Sequence, residues 1–222
     1  MNPVETQGER DRSNDITSGA LHVTGVFFSV AVLVVLIVLG VRRGSAWHVV
    51  GYSLYGAGLI ALYFSSALYH FLPESMPRLK HIARRFDHAM IYILIAATYT
   101  PITFIVFSGG WRWSLFGIIW GLAIIGVVIK LLWLPIPRAL PVVLYAVMGW
   151  LIVVALSPLL EHMDMISFVF LILGGLSYTF GILFFALENV FKPHKYFWMH
   201  EIFHVCVLGG SVLHTIVMFR IL

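Results

Sequence analysis

The sequence predicts an all-α protein: a seven-transmembrane helix bundle with a metal site inside the membrane. Three observations predict it. The chain of 222 residues is 60% hydrophobic and only 11% charged, whereas soluble domains carry about 25% charged residues. Seven apolar runs, each long enough to cross about 30 Å of hydrocarbon, follow one another with short connections. Ionisable side chains inside those runs concentrate towards one end of the bundle, where burial is costly and charge usually has a task.

The elements follow in order. The opening "MNPVETQGERDRSND" is polar and mixed in charge. It lacks the positive-then-apolar layout of a signal peptide. Residues 1–17 are therefore read as a polar cytoplasmic N-terminal segment and 18–222 as the transmembrane domain. The expected spans are Ser18–Val41, Trp47–Phe71, Phe86–Phe107, Trp111–Leu134, Ala139–Leu160, Met165–Leu187 and Phe197–Leu222. "VRRGSAW" separates the first two, "SGGW" the third and fourth, "WLPIPRAL" the fourth and fifth, and "LEHMDM" the fifth and sixth. None leaves room for another domain. The longest connection, "LPESMPRLKHIARR", follows the second span. Gly117 and Gly121 form a G-x-x-x-G pair, read here as ordinary helix packing within the bundle.

Loop charge orients the bundle. The N-terminal side would hold Arg10, Arg12, Arg78, Lys80, Arg84, Arg85, Lys130, Arg138, Lys192 and Lys195, ten in all. The other side would hold Arg42, Arg43, Arg112 and Arg220, four in all. Positive residues favour the inside, so the N-terminus is expected in the cytoplasm and the C-terminus outside. The net charge of +4 then suits anionic lipid headgroups and does not call for nucleic acid. The single cysteine, Cys206, excludes an intrachain disulfide.

Under this orientation Asp15, His22, Ser66, His70, Asp87, His88, His200, Glu201 and His204 fall at one depth, in the cytoplasmic half of the membrane. Only His214 lies deeper. Residues four apart on a helix share a face, so His200 and His204 form a two-ligand clamp, and Ser66 and His70 share a face of the second span. Zinc prefers nitrogen or sulfur ligands in tetrahedral geometry, with the fourth position left to water in catalytic sites. His70, His200 and His204 make such a three-histidine set. Asp87 can accept a hydrogen bond from the water or bind the metal itself. Ser66 can orient Asp87 or a substrate carbonyl. His48, His81, His162 and His194 lie in or near loops and carry no site. His214 lies ten residues beyond His204, about 15 Å along the axis, too far to be a ligand. Lining an internal polar cavity and simple packing are the two readings for it.

"HEIFH", His200 to His204, matches the H-E-x-x-H pattern of zinc proteases. The longer form of that pattern uses a glycine to turn the chain towards a third ligand. Here Val207 and Gly210 hold the corresponding positions, inside an apolar helix. The third ligand must come from another span. Glu201 lies about 100° around the helix from His200, which favours an inter-helix or near-solvent polar contact over a catalytic base.

These motifs make the chain similar to the haemolysin III group within the progestin and adipoQ receptor family, over essentially all seven spans. The family's first motif is matched by Asp15, Ser18, His22 and Gly25, with Asp15 and Ser18 where bacterial relatives often have Glu and Asn. The second is matched by Ser66, His70 and Asp87, and the third by His200 and His204. The resemblance implies a seven-helix bundle, a cytoplasmic N-terminus, and zinc held by His70, His200 and His204 with Asp87 near its water. It also implies kinship with predicted membrane metal-hydrolases that include alkaline ceramidases.

The function expected is zinc-dependent (Zn2+) hydrolysis of an acyl lipid at an amide or ester bond, with Asp87 and Ser66 catalytic, in a multi-pass protein of a bacterial inner membrane. Membrane lipids and the acyl-lipid substrate are the expected partners. Tyr63, Tyr92 and Tyr99 are expected to line the acyl-chain path. The alternatives are a non-catalytic membrane regulator or receptor with a structural zinc, a haemolysin-type pore former, and a proton or ion path through Asp87, His88 and His214. A fourth protein ligand would favour the regulator.

Overall fold

The computed structural model describes residues 3–132, 134, 136–137, 139–188 and 198–222, with side chains from residue 14 onward. Among them, seven helices are long and apolar enough to cross a membrane. His194, Lys192, Lys195, Arg138 and Phe197 lie outside the described residues.

Helix α1 (Pro3–Arg43) runs back through the polar stretch that the hydropathy pattern leaves outside the first span. Helix α2 (Ala46–Phe71) stops ahead of Leu72–Pro73, because the residue before a proline resists the helical conformation. Helix α3 (Pro77–Ile105) starts well before the expected Phe86. Pro77 opens it, with its fixed φ and no N–H to satisfy, and the polar "RLKHIARR" continues the helix outside the apolar run. The expected long connection is therefore only Leu72–Met76. Helix α4 is Gly109–Leu131.

The fifth span departs from a continuous helix. It comprises α5 (Ala139–Trp150), a 3-10 segment (Leu151–Ala155) and α6 (Leu156–His162). Irregular backbone within a membrane needs its polar groups satisfied. Tyr99 of α3 satisfies two of them: its hydroxyl accepts from the Ile152 N–H at 2.8 Å and donates to the Gly149 carbonyl at 3.0 Å. Apolar counting cannot see this break, since every residue from Leu151 to Ala155 is apolar.

Helix α7 (Met165–Leu187) is capped by Asp164, whose carboxylate accepts from the Ile166 and Ser167 N–H groups at 3.1 Å. Helix α8 (Met199–Arg220) completes the bundle. Consecutive spans pack on one another, and α8 closes the ring against α1 and α3. Helix α3 is the most central, with 67% of its apolar window buried.

Close approaches hold α8 and its neighbours together. A Cβ on Gly25 would lie 2.4 Å from the Tyr63 ring. The bare glycine lets that ring cross α1 and reach α8, where its hydroxyl donates to Ser211 Oγ at 2.7 Å. Tyr52 and Tyr55 of α2 also bond α8, at the Met218 carbonyl and Thr215 Oγ1. Among the described residues, in contrast, a Cβ on Gly117 or Gly121 meets no atom within 4 Å. Their G-x-x-x-G pair is not a packing face within this bundle.

Candidate metal centre and cavity

Three histidines from two distant stretches meet at one end of the bundle. His70 comes from the last turn of α2, and His200 and His204 from the first turns of α8. One ligand atom from each lies within 4.8 Å of the others. His70 and His204 are buried and His200 is half-buried.

Hydrogen bonds orient two of the rings. His70 Nδ1 lies 2.9 Å from Asp15 Oδ1, and His200 Nδ1 lies 3.3 Å from Glu188 Oε2. A carboxylate only accepts, so each Nδ1 carries the proton and each Nε2 keeps its lone pair. The two Nε2 atoms face one another at 3.4 Å. Two nitrogens on a tetrahedral zinc, at bond lengths of about 2.0–2.1 Å, stand about 3.4 Å apart. Carboxylates behind metal-binding imidazoles fix ring orientation and raise ligand basicity. His204 is held differently. Its ring stacks on His22 of α1, with centroids 3.9 Å apart, and lies beside the Ser18 backbone, though its buried Nδ1 closes no hydrogen bond of good geometry among the described residues. Lone pairs converging from His70 and His200 suit a cation, and the donor set fits zinc or another imidazole-preferring metal.

Of the surrounding charges, the sequence puts Asp15 in the same layer but does not reveal its partner, and gives no sign of Lys80 or Glu188 there. Asp15 Oδ2 accepts from Lys80 Nζ at 2.6 Å, and Lys80 also pairs with Glu74. A chain of charges thus ties His70 to the short connection after α2. Glu188 lies just past α7. Burial pushes its carboxyl up, but the hydrogen bond and charge of His200 more than offset this and hold it below the ordinary value. Neither Glu188 nor Lys80 has a motif spacing to the histidines; only the fold brings them close.

Glu201 does not face the histidine cluster. It is 1% exposed, accepts from Ser18 Oγ at 2.9 Å, and caps α8 by accepting from the Trp198 N–H at 2.7 Å. The expected inter-helix contact is correct and its near-solvent alternative is not.

Asp87 and Ser66 are buried and share the wall of a cavity of about 950 Å³ with His22, His200 and His204. The Ser66 hydroxyl sits beside the Asp87 carboxylate without closing a hydrogen bond. Asp87 is not a member of the histidine cluster. Away from the cluster the cavity runs between α3, the fifth span, α7 and α8, past residues such as Ile91, Ile95, Ile182 and Val207. It reaches Tyr99, Trp150 and His214. His214 therefore lines the cavity and also packs: its Nε2–H donates to the Leu171 carbonyl at 3.2 Å, over Gly174. Of the three tyrosines expected along this path, only Tyr99 lines it. Tyr63 is committed to Ser211, and Tyr92 packs between Tyr145 and Gly126.

The comparisons with known proteins identify the family. A family described as haemolysin-III related matches residues 10–215. Hemolysin-3 of Bacillus cereus is 36% identical over 199 residues, covering 90% of this chain and 87% of that protein. The hemolysin-3 homolog of Bacillus subtilis (strain 168) is 36% identical over 197 residues, covering 89% of each chain. The human monocyte to macrophage differentiation factor is 25% identical over 86% of this chain and 78% of its own. With the match spanning all seven apolar helices and the histidine cluster, this multi-pass membrane protein belongs to the haemolysin-III related family.

Proposed function

We propose that the protein is a zinc-dependent hydrolase that cleaves an amide or ester bond of an acyl lipid within the membrane. One observation carries this reading: two members of the three-histidine cluster, His200 and His204, line a largely apolar cavity whose wall also holds Asp87 and Ser66. Among the described residues the cluster has three members and no fourth, which supports an open position over a purely structural metal.

Zinc bound there would supply a polarising Lewis acid and a water with a pKa of about 7. Asp87 takes the proton of the attacking water and returns it to the leaving amine nitrogen or alcohol oxygen as the acyl C–N or C–O bond breaks, leaving the fatty acid and the free headgroup. Ser66 donates its hydroxyl to the carbonyl oxygen as charge develops on it. Asp15 and Glu188 hold the His70 and His200 rings in place. The acyl chain lies along the apolar walls, which exclude bulk water from the bond being cut. The loop-charge bias supports a cytoplasmic position for this end of the bundle, in a bacterial inner membrane in this reading, where such an activity would serve membrane lipid homeostasis.

The test is turnover by purified, zinc-loaded protein on a panel of long-chain amides and esters, read by mass spectrometry. The expected result is fatty-acid release that falls about 10²–10⁴-fold in Asp87→Asn and about 10²-fold in Ser66→Ala. Absence of turnover across the panel, with zinc bound, would sink the proposal.

A further inference from the structure

The wall of the cavity is not uniform along its length. Arg84 and Lys130 line it at the histidine end, together with Asp87 and His88. On α3, Arg84 lies one helical turn before Asp87 and His88, on the same face. Lys130 enters from the last turn of α4. Lys130 is half-buried, and Arg84 is exposed. Neither makes an ion pair among the described residues. Of the stretches whose side chains are not described, 189–197 ("NVFKPHKYF") contains no carboxylate and 1–13 contains Glu5, Glu9 and Asp11. Arg85 also lines the cavity but bonds His81 at 3.3 Å, so the argument rests on Arg84 and Lys130.

Lys and Arg at the ends of spans ordinarily lie against lipid headgroups on the outside of a bundle. Arg78 and Lys80, at the start of α3, are not part of the cavity wall. Arg84 and Lys130 differ in facing the cavity itself. A half-buried ammonium with no carboxylate paired to it among the described residues is costly, and an anionic group seated against it recovers that cost through charge-assisted hydrogen bonds.

We propose that the lipid held in the cavity carries an anionic headgroup, a carboxylate or phosphate, seated between Arg84 and Lys130, with its acyl chain running towards Tyr99. This rests on the reading that the cavity holds an acyl lipid. The layers have a consistent order: cations, then Asp87 and the histidines, then the apolar body. A lipid lying along them places its headgroup on the cations, its amide or ester beside Asp87, and its chain beyond. From Asp87 to Tyr99 the helix rises about 18 Å, enough for a long chain.

The experiment compares N-palmitoylglycine with N-palmitoylethanolamine, which share chain and amide and differ in the headgroup charge. Binding to the detergent-purified full chain is measured by isothermal titration, with product formation followed in parallel. The expected result is about 10-fold tighter binding of N-palmitoylglycine. That preference falls towards unity in Arg84→Met and Lys130→Met, and persists in Arg78→Met at the same end of the molecule. Inorganic phosphate at matched concentration is expected not to displace the probe; displacement would point to a free-anion site and overturn the headgroup assignment. Equal affinity for both probes, or a preference that survives both cavity substitutions, also overturns it. Charge preference without cleavage of any lipid would leave this inference standing and count against the hydrolase. Cleavage without charge preference would do the reverse.

Discussion

His70 Nε2 and His200 Nε2 lie 3.4 Å apart, each on a ring whose other nitrogen is tied to a carboxylate. The residues are 130 positions apart in the chain. Two lone pairs converging at this spacing repel one another unless a proton or a cation sits between them. Elemental analysis of protein purified without chelators should find about one zinc-class ion per chain. His70→Ala, His200→Ala and His204→Ala should each lose it. Full occupancy retained in any one of the three would remove that residue from the site.

The supporting carboxylates should matter nearly as much. Asp15→Asn and Glu188→Gln keep size and shape but weaken the acceptor behind each ring. Each should lower metal affinity by about 10–100-fold, read by chelator competition, while the helical circular dichroism is unchanged. Unaltered affinity in both would mean that the rings are held by packing alone.

Glu201 gives the opposite expectation. It is buried and bonded to Ser18 and to the Trp198 N–H. Glu201→Gln should destabilise the fold by about 1–3 kcal/mol, seen as a lower Tm in detergent, with metal content intact. Loss of metal at unchanged Tm would show that the H-E-x-x-H glutamate serves the metal after all.

At the far end of the bundle, Asp164 caps α7 and binds Arg220 Nη2 at 2.6 Å. Its hydrogen bonds to Ser167 and then the Arg220 guanidinium hold its carboxyl well below the ordinary value of 3.8. A carboxyl with a depressed folded-state pKa stabilises fully above its unfolded value and loses that contribution as pH falls through the folded one. The Tm gap between wild type and Asp164→Asn should therefore be constant from pH 7 down to about 5, and narrow at pH below about 4. A gap that widens on acidification would contradict the assignment.

Glycine substitutions separate packed from open positions. A Cβ on Gly174 would lie 2.3 Å from the His214 ring, so Gly174→Ala should cost about 1–3 kcal/mol by overpacking. Gly117→Ala meets nothing and should be neutral or stabilise by up to about 1 kcal/mol. Thermal unfolding of the two variants side by side checks both signs.

By itself the sequence determined the number of spans, since length and apolarity against the bilayer are local quantities that one stretch of chain carries alone. It also determined the depth at which the polar residues gather. His70, His200 and His204 were legible because the i, i+4 spacing on α8 and a matching depth on α2 leave few other partners. Only the tertiary structure decided what stands behind those histidines. Asp15, Glu188 and the Lys80 link come from different helices with no spacing rule between them, and an ion pair across helices leaves no periodic trace. The break at Leu151–Ala155 was hidden for a related reason: the group that permits it, the Tyr99 hydroxyl, belongs to another span. Hydropathy reports what a segment avoids, which is water. It does not report which neighbour satisfies the segment's backbone, or which side chains face an enclosed cavity, because both depend on how the helices are rotated against one another.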